Sequence, residues 1–62
     1  MKQGLTIKGG ATDIVFHPFD QDEEMEISLG HDNRIFGAVF LNQSDILKII
    51  HYLSEQLIDV NK

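Results

Sequence analysis

Half of the carboxylates in this chain fall in one short stretch, HPFDQDEEMEI, over residues 17–27. Asp20, Asp22, Glu23, Glu24 and Glu26 are five of ten. Oxygen donors at this density suggest calcium first. An EF-hand loop needs oxygens at positions 1, 3 and 5, glycine at 6 and a bidentate glutamate at 12. Counting from Asp20 gives Asp20, Asp22 and Glu24, but Met25 stands where glycine is required and His31 where the closing glutamate belongs. The stretch is not a calcium loop of that kind.

The histidines give no stronger metal signal. His17, His31 and His51 are spread along the chain, with no HxH and no pair at the i, i+4 spacing of a zincin. His51 stands four residues before Glu55, so a helix-surface pair accounts for it. Ser28, Ser44 and Ser54 lack a GxSxG setting, and KGGAT lacks the spacing and ending of a phosphate-binding loop. No catalytic, cofactor-binding or metal-ligating residue is assigned. A small metal or ligand binder using His17 or His51 is the weakest of three functional readings.

The charge balance narrows the choice. The net charge is -5 and the isoelectric point about 4.8. The basic residues Lys2, Lys8, Arg34, Lys48 and Lys62 are scattered, whereas phosphate contacts need clustered cations. Direct nucleic-acid binding and an anionic membrane surface are disfavoured; a basic protein site suits the charge. No segment approaches the roughly 20 apolar residues of a membrane span, and MKQGLTIKGG has no apolar run of signal-peptide length. With no cysteine in the sequence, a soluble cytoplasmic protein is expected.

The elements that must position these side chains follow one another with short connections in a single small domain, residues 1–62. LTIK alternates over 5–8 and reads as a strand. GGAT is a flexible turn. DIVFH gives a second strand over about 13–17, stopped by Pro18. MEISL alternates over 25–29, and HDN is a polar turn. IFGAVFL, over 35–41, is the longest and most apolar strand. Then comes a helix over about 43–60. Asn42 is its N-cap, Asp45 occupies the third helical position, and Leu41 with Ile46 stand where a hydrophobic staple falls. Ile46, Ile49, Ile50, Leu53, Leu57 and Val60 gather on one face at 100° per residue, widened by Leu47 and Ile58. The fold class is α+β: an antiparallel sheet of three to four strands followed by one C-terminal amphipathic helix packed on one face.

This arrangement has too much apolar surface for one helix to cover. Strict alternation puts Ile35, Gly37, Val39 and Leu41 on one side of the last strand and Phe36, Ala38 and Phe40 on the other. The second strand is also apolar on both sides, with Ile14 and Phe16 opposite Val15. The N-terminal segment or the loop over 18–24, with Phe19, would provide cover in the simplest case. Leaving two phenylalanine rings wet forfeits about 1.5–3 kcal/mol each, against a total stability on the order of 5 kcal/mol. A chain of 62 residues buries only about 60% of its unfolded surface. A homodimer or higher oligomer is therefore expected, with Phe36, Phe40, Val15, Leu47 and Ile58 as partner-binding residues.

The function expected is a non-enzymatic protein–protein interaction module, a homo-oligomeric regulator or inhibitor of a larger protein. The alternative is an acidic nucleic-acid mimic, of the kind used by phages and other mobile genetic elements to block a nucleic-acid-binding or defence enzyme. Its surface would be Asp20, Asp22, Glu23, Glu24 and Glu26, docking on a basic site.

Overall fold

A computed structural model describes residues 3–61. Four strands, β1 (Leu5–Lys8), β2 (Asp13–Phe16), β3 (Glu24–His31) and β4 (Arg34–Asn42), are followed by one helix, α1 (Gln43–Val60). The strands form one antiparallel sheet in the order β1-β2-β3-β4. The expected α+β order is therefore present, with β3 and β4 longer at both ends than alternation alone predicts. No helix among the described residues is long and apolar enough to cross a membrane.

Each turn has a local cause. Gly10, at φ 86, reverses the chain between β1 and β2, and the Gly9 amide donates to Asp13 Oδ1 at 3.4 Å. Asp32 and Asn33 have φ of 50 and 67. They form the two-residue connection of β3 to β4 in the left-handed conformation that matches strand twist and that Asp and Asn tolerate best. Gly30 is buried beside this hairpin, and a Cβ there would meet the Arg34 carbonyl oxygen.

The β3–β4 register carries one irregularity. Leu29 pairs with Gly37 but Gly30 pairs with Ile35, so Phe36 is an extra residue, the mark of a β-bulge. Directly opposed residues share a face of the sheet. Ile35 thus lies with Gly30, on the face opposite Gly37, Val39 and Leu41. Strict alternation had grouped all four together. Gly37 is not the bulge itself; a Cβ added to it would meet nothing within 4 Å.

The helix starts where the sequence marks it. Asn42 Oδ1 accepts from the Asp45 amide at 2.9 Å, and Asp45 Oδ2 accepts from the Asn42 amide at 3.4 Å. The two form a reciprocal capping box. Leu41 and Ile46, at the staple positions, are both half-buried. At the other end the Asn61 amide (3.2 Å) and its side-chain Nδ2 (2.9 Å) both donate to the Leu57 carbonyl. Asn42→Ala removes the N-cap acceptor and is expected to lower stability by about 1 kcal/mol, read from denaturant unfolding at fixed protein concentration.

The helix meets the sheet mainly at β4, and only Asp45 and Ile46 of α1 are half-buried; no helical residue is buried. The expected packing over a sheet face is thus confined to the first turn. The reason is the junction. β4 ends at Asn42 and α1 begins at Gln43, and Asn42 keeps extended dihedrals, φ -86 and ψ 178. No connecting residues remain to carry the helix back across its own sheet. The radius of gyration is accordingly 13.3 Å, against about 10.5 Å for a compact chain of this length.

Candidate interaction surface

The register defines two sheet faces of different chemistry. One is apolar throughout: Leu5 and Ile7 of β1, Ile14 and Phe16 of β2, Met25, Ile27 and Leu29 of β3, and Gly37, Val39 and Leu41 of β4. It carries β-branched and aromatic side chains across all four strands, as a face made for burial should. Yet none of these residues is buried, and Leu5, Ile7, Leu29 and Val39 are exposed. A depression of about 460 Å³ opens on this side, lined in part by Leu5, Phe16, Phe19 and Met25.

The second apolar surface is the helix stripe. Ile49, Ile50, Leu53, Leu57 and Val60 are all exposed, as are the flanking Leu47 and Ile58. His51 and Glu55 form the i, i+4 surface pair that their spacing predicts, with Nε2 3.3 Å from Oε1.

The uncovered area can be sized. A folded monomer of 7.0 kDa exposes about 4,000 Å². This chain exposes 5373 Å², an excess of roughly 1,300 Å² over that expectation. Among the described residues the only buried ones are Ser28 and Gly30, and no apolar side chain is buried. Hydrophobic burial is the dominant favourable term in folding, so a lone chain lacks the core that would hold this sheet and helix in place.

The other sheet face is mixed. Thr6, Val15, Ser28 and Ala38 form one cross-strand row; Lys8, Asp13, Gly30 and Ile35 form the next; Glu26 lies opposite Phe40. A concavity of about 520 Å³ lies on this side, with His17, His31 and Arg34 also on its wall. Lys8 Nζ is 3.4 Å from Asp13 Oδ2. His17 Nε2 lies 3.2 Å from Ser28 Oγ. A serine–histidine contact is the pairing that nucleophilic catalysis uses. Here Ser28 is 2% exposed, and the contact gives a buried hydroxyl its partner.

The acidic stretch does not form one uniform surface. Asp20 Oδ1 accepts from the amides of Asp22 (2.9 Å) and Glu24 (3.0 Å). The Asp20 backbone amide donates to the Glu24 carbonyl at 2.8 Å, and its carbonyl accepts from Glu23 at 3.0 Å. Asp20 therefore builds the loop. Glu23 sits at φ 60 and its carboxylate accepts from Gln43 Nε2 at the helix start. Glu24 and Glu26 belong to β3, opposite Asn42 and Phe40. Asp20→Ala is expected to cost about 1 kcal/mol, from loss of the shared acceptor. Asp22→Ala should stay within about 0.5 kcal/mol. Paired urea melts measure the difference.

The partner-binding residues expected from the sequence fall on three surfaces. Val15 and Phe40 lie on the mixed face, Phe36 is the bulge residue, and Leu47 and Ile58 flank the helix stripe. Sequence reasoning passed over the apolar face with Ile14, Phe16, Ile27, Leu29 and Val39, because it assigned β4's apolar side to the cover of the chain's own helix. Of the cations, Lys2 and Lys62 lie outside the described residues. No group of three or more potential metal ligands occurs among the described residues. No protein-family model matches the chain, nor does any curated protein or solved structure.

Proposed function

We propose that this chain is a non-enzymatic protein–protein interaction module that works as a homo-oligomer, and that its role is to regulate or inhibit a larger protein. The observation that carries the first part is the lack of any buried apolar side chain among the described residues of one chain. Twice the excess surface is roughly 2,600 Å², within the range of about 2,000–5,000 Å² typical of obligate homodimers. A second copy satisfies both open surfaces with no new chemistry, and two-fold dimers are the commonest closed assembly.

The larger partner is assigned to the mixed sheet face. Val15, Ile35 and Phe40 offer apolar contact there, beside the polar concavity with its ion pair and histidines. The cytoplasm is the proposed location, supported by the cysteine-free sequence.

The acidic-mimic reading has less support. Two of its five carboxylates, on Asp20 and Glu23, already accept hydrogen bonds inside the chain, so they are poorly placed to imitate a phosphate row. The metal or ligand reading is weaker again, since His17 is engaged by Ser28 and His51 by Glu55. Salt separates an apolar assembly from an electrostatic one. Each copy carries -5, so screening removes repulsion between copies. The oligomer is expected to persist, or tighten, as sodium chloride is raised to about 0.5 M. Dissociation on adding salt, followed by light scattering, would contradict the proposal.

A further inference from the structure

We infer that two copies associate by reciprocal exchange of their C-terminal helices, each α1 lying across the apolar sheet face of the other copy. This rests on the homo-oligomer reading above and adds the geometry of its interface.

Three observations lead there. First, the chain carries two unpartnered apolar surfaces of different shape, a four-stranded face and a helix stripe. Sheet-on-sheet association would leave both stripes wet, and helix-on-helix association would leave both faces wet. Only helix-on-sheet contact, made twice about a two-fold axis, covers all four surfaces in one closed dimer.

Second, the donor chain does not supply its own cover. The junction from Asn42 to Gln43 has no spare residue, the N-cap is extended, and the helix leaves the sheet after its first turn. This is the geometry that favours exchange: a contact that a longer connection would allow within one chain is made between chains instead.

Third, the sizes match. The 18 residues of α1 give a rod about 27 Å long. The nine-residue strand β4 runs about 30 Å. The space above Gly37 is open in one chain, with nothing within 4 Å of an added Cβ. Beside Leu29 and Val39 this leaves a shallow seat for a side chain of the incoming helix.

Cysteine-free chains make the test direct. Ile27→Cys marks the middle of the sheet face and Leu53→Cys the middle of the stripe. The two single variants are mixed, unfolded and refolded together, then treated with a short bismaleimide and resolved under denaturing conditions. Exchange predicts a covalent Ile27→Cys/Leu53→Cys heterodimer as the main product, with little self-linked product from either variant alone. The pair Leu29→Cys with Leu57→Cys repeats the test should the first pair fail to refold. Self-linking of Leu53→Cys alone means that helices pair, and self-linking of Ile27→Cys alone means that sheets stack. Either overturns exchange while leaving the homo-oligomer in place. No linkage in either pair, from chains that scatter light as dimers, also overturns exchange. A single-chain mass for the unsubstituted protein overturns both exchange and the reading it rests on.

Discussion

Leu53→Asp is expected to abolish self-association, and the folded state with it. Leu53 is mid-stripe and already 53% exposed in one chain. If the chain acted alone, a carboxylate there would change stability by no more than about 0.5 kcal/mol, as at other surface sites. In the proposed dimer it puts one charge per helix into an apolar interface with no counter-ion. An uncompensated buried charge costs about 3–5 kcal/mol, and each 1.4 kcal/mol is about tenfold in affinity. Dimer affinity should therefore fall by at least about a hundredfold. Far-ultraviolet circular dichroism should report loss of helix at concentrations where the parent is folded, because neither surface has other cover. Lys48→Asp is the control. At 100° per residue Lys48 lies on the side of the helix opposite the stripe, so that variant should associate like the parent.

The second large effect tests the sheet itself. Gly30→Ala should destabilise the protein by roughly 2–4 kcal/mol. Gly30 is buried between β2 and β4, opposite Asp13 and Ile35. Its missing Cβ is where the Arg34 carbonyl oxygen passes. Backbone stands in the way, so no rotamer change relieves the contact; the β3–β4 hairpin must open at its bulge. Gly37→Ala, seven residues on, meets nothing. Glycine is itself unfavourable in a strand by roughly 0.5–1 kcal/mol against alanine, which offsets the repacking of a partner helix over the added methyl, so this variant should stay within about 1 kcal/mol of the parent. Denaturant melts of the two at equal concentration should differ in sign or by several-fold in size. Equal destabilisation would contradict the register.

The distribution of what was readable follows from what marks each feature. Turns and caps are chemical signals in the chain. Gly9–Gly10, Pro18, Asp32–Asn33 and the Asn42–Asp45 pair punctuate the sequence, and the elements fall between them. The bulge is marked only by the mid-strand Gly37 beside it, which signals a break in pairing but not which residue is the extra one. Phe36 stands in a run, IFGAVF, that is apolar on both faces, so alternation has no polar residue to fix its phase. One inserted residue then carries Ile35 to the other face unseen.

The helix shows the same limit in another form. Its 3.6-residue periodicity gives the stripe but not what the stripe faces. The short connection was already legible in the sequence, where the strand expected to end at Leu41 is followed at once by the N-cap Asn42. Its consequence for packing appears only when the direction of the chain is known. In the acidic stretch, composition suggested one surface. The loop divides it, because Asp20 serves the backbone and Glu23 meets Gln43, a residue distant in sequence that only the fold brings near.

The most direct test of the central claim is the mass of the unsubstituted chain in solution. Sedimentation equilibrium over low to high micromolar concentrations should give twice the 7.0 kDa of one chain. On dilution, helix content should fall together with the mass, since folding and association are linked. A folded species of 7.0 kDa at high micromolar concentration would contradict it.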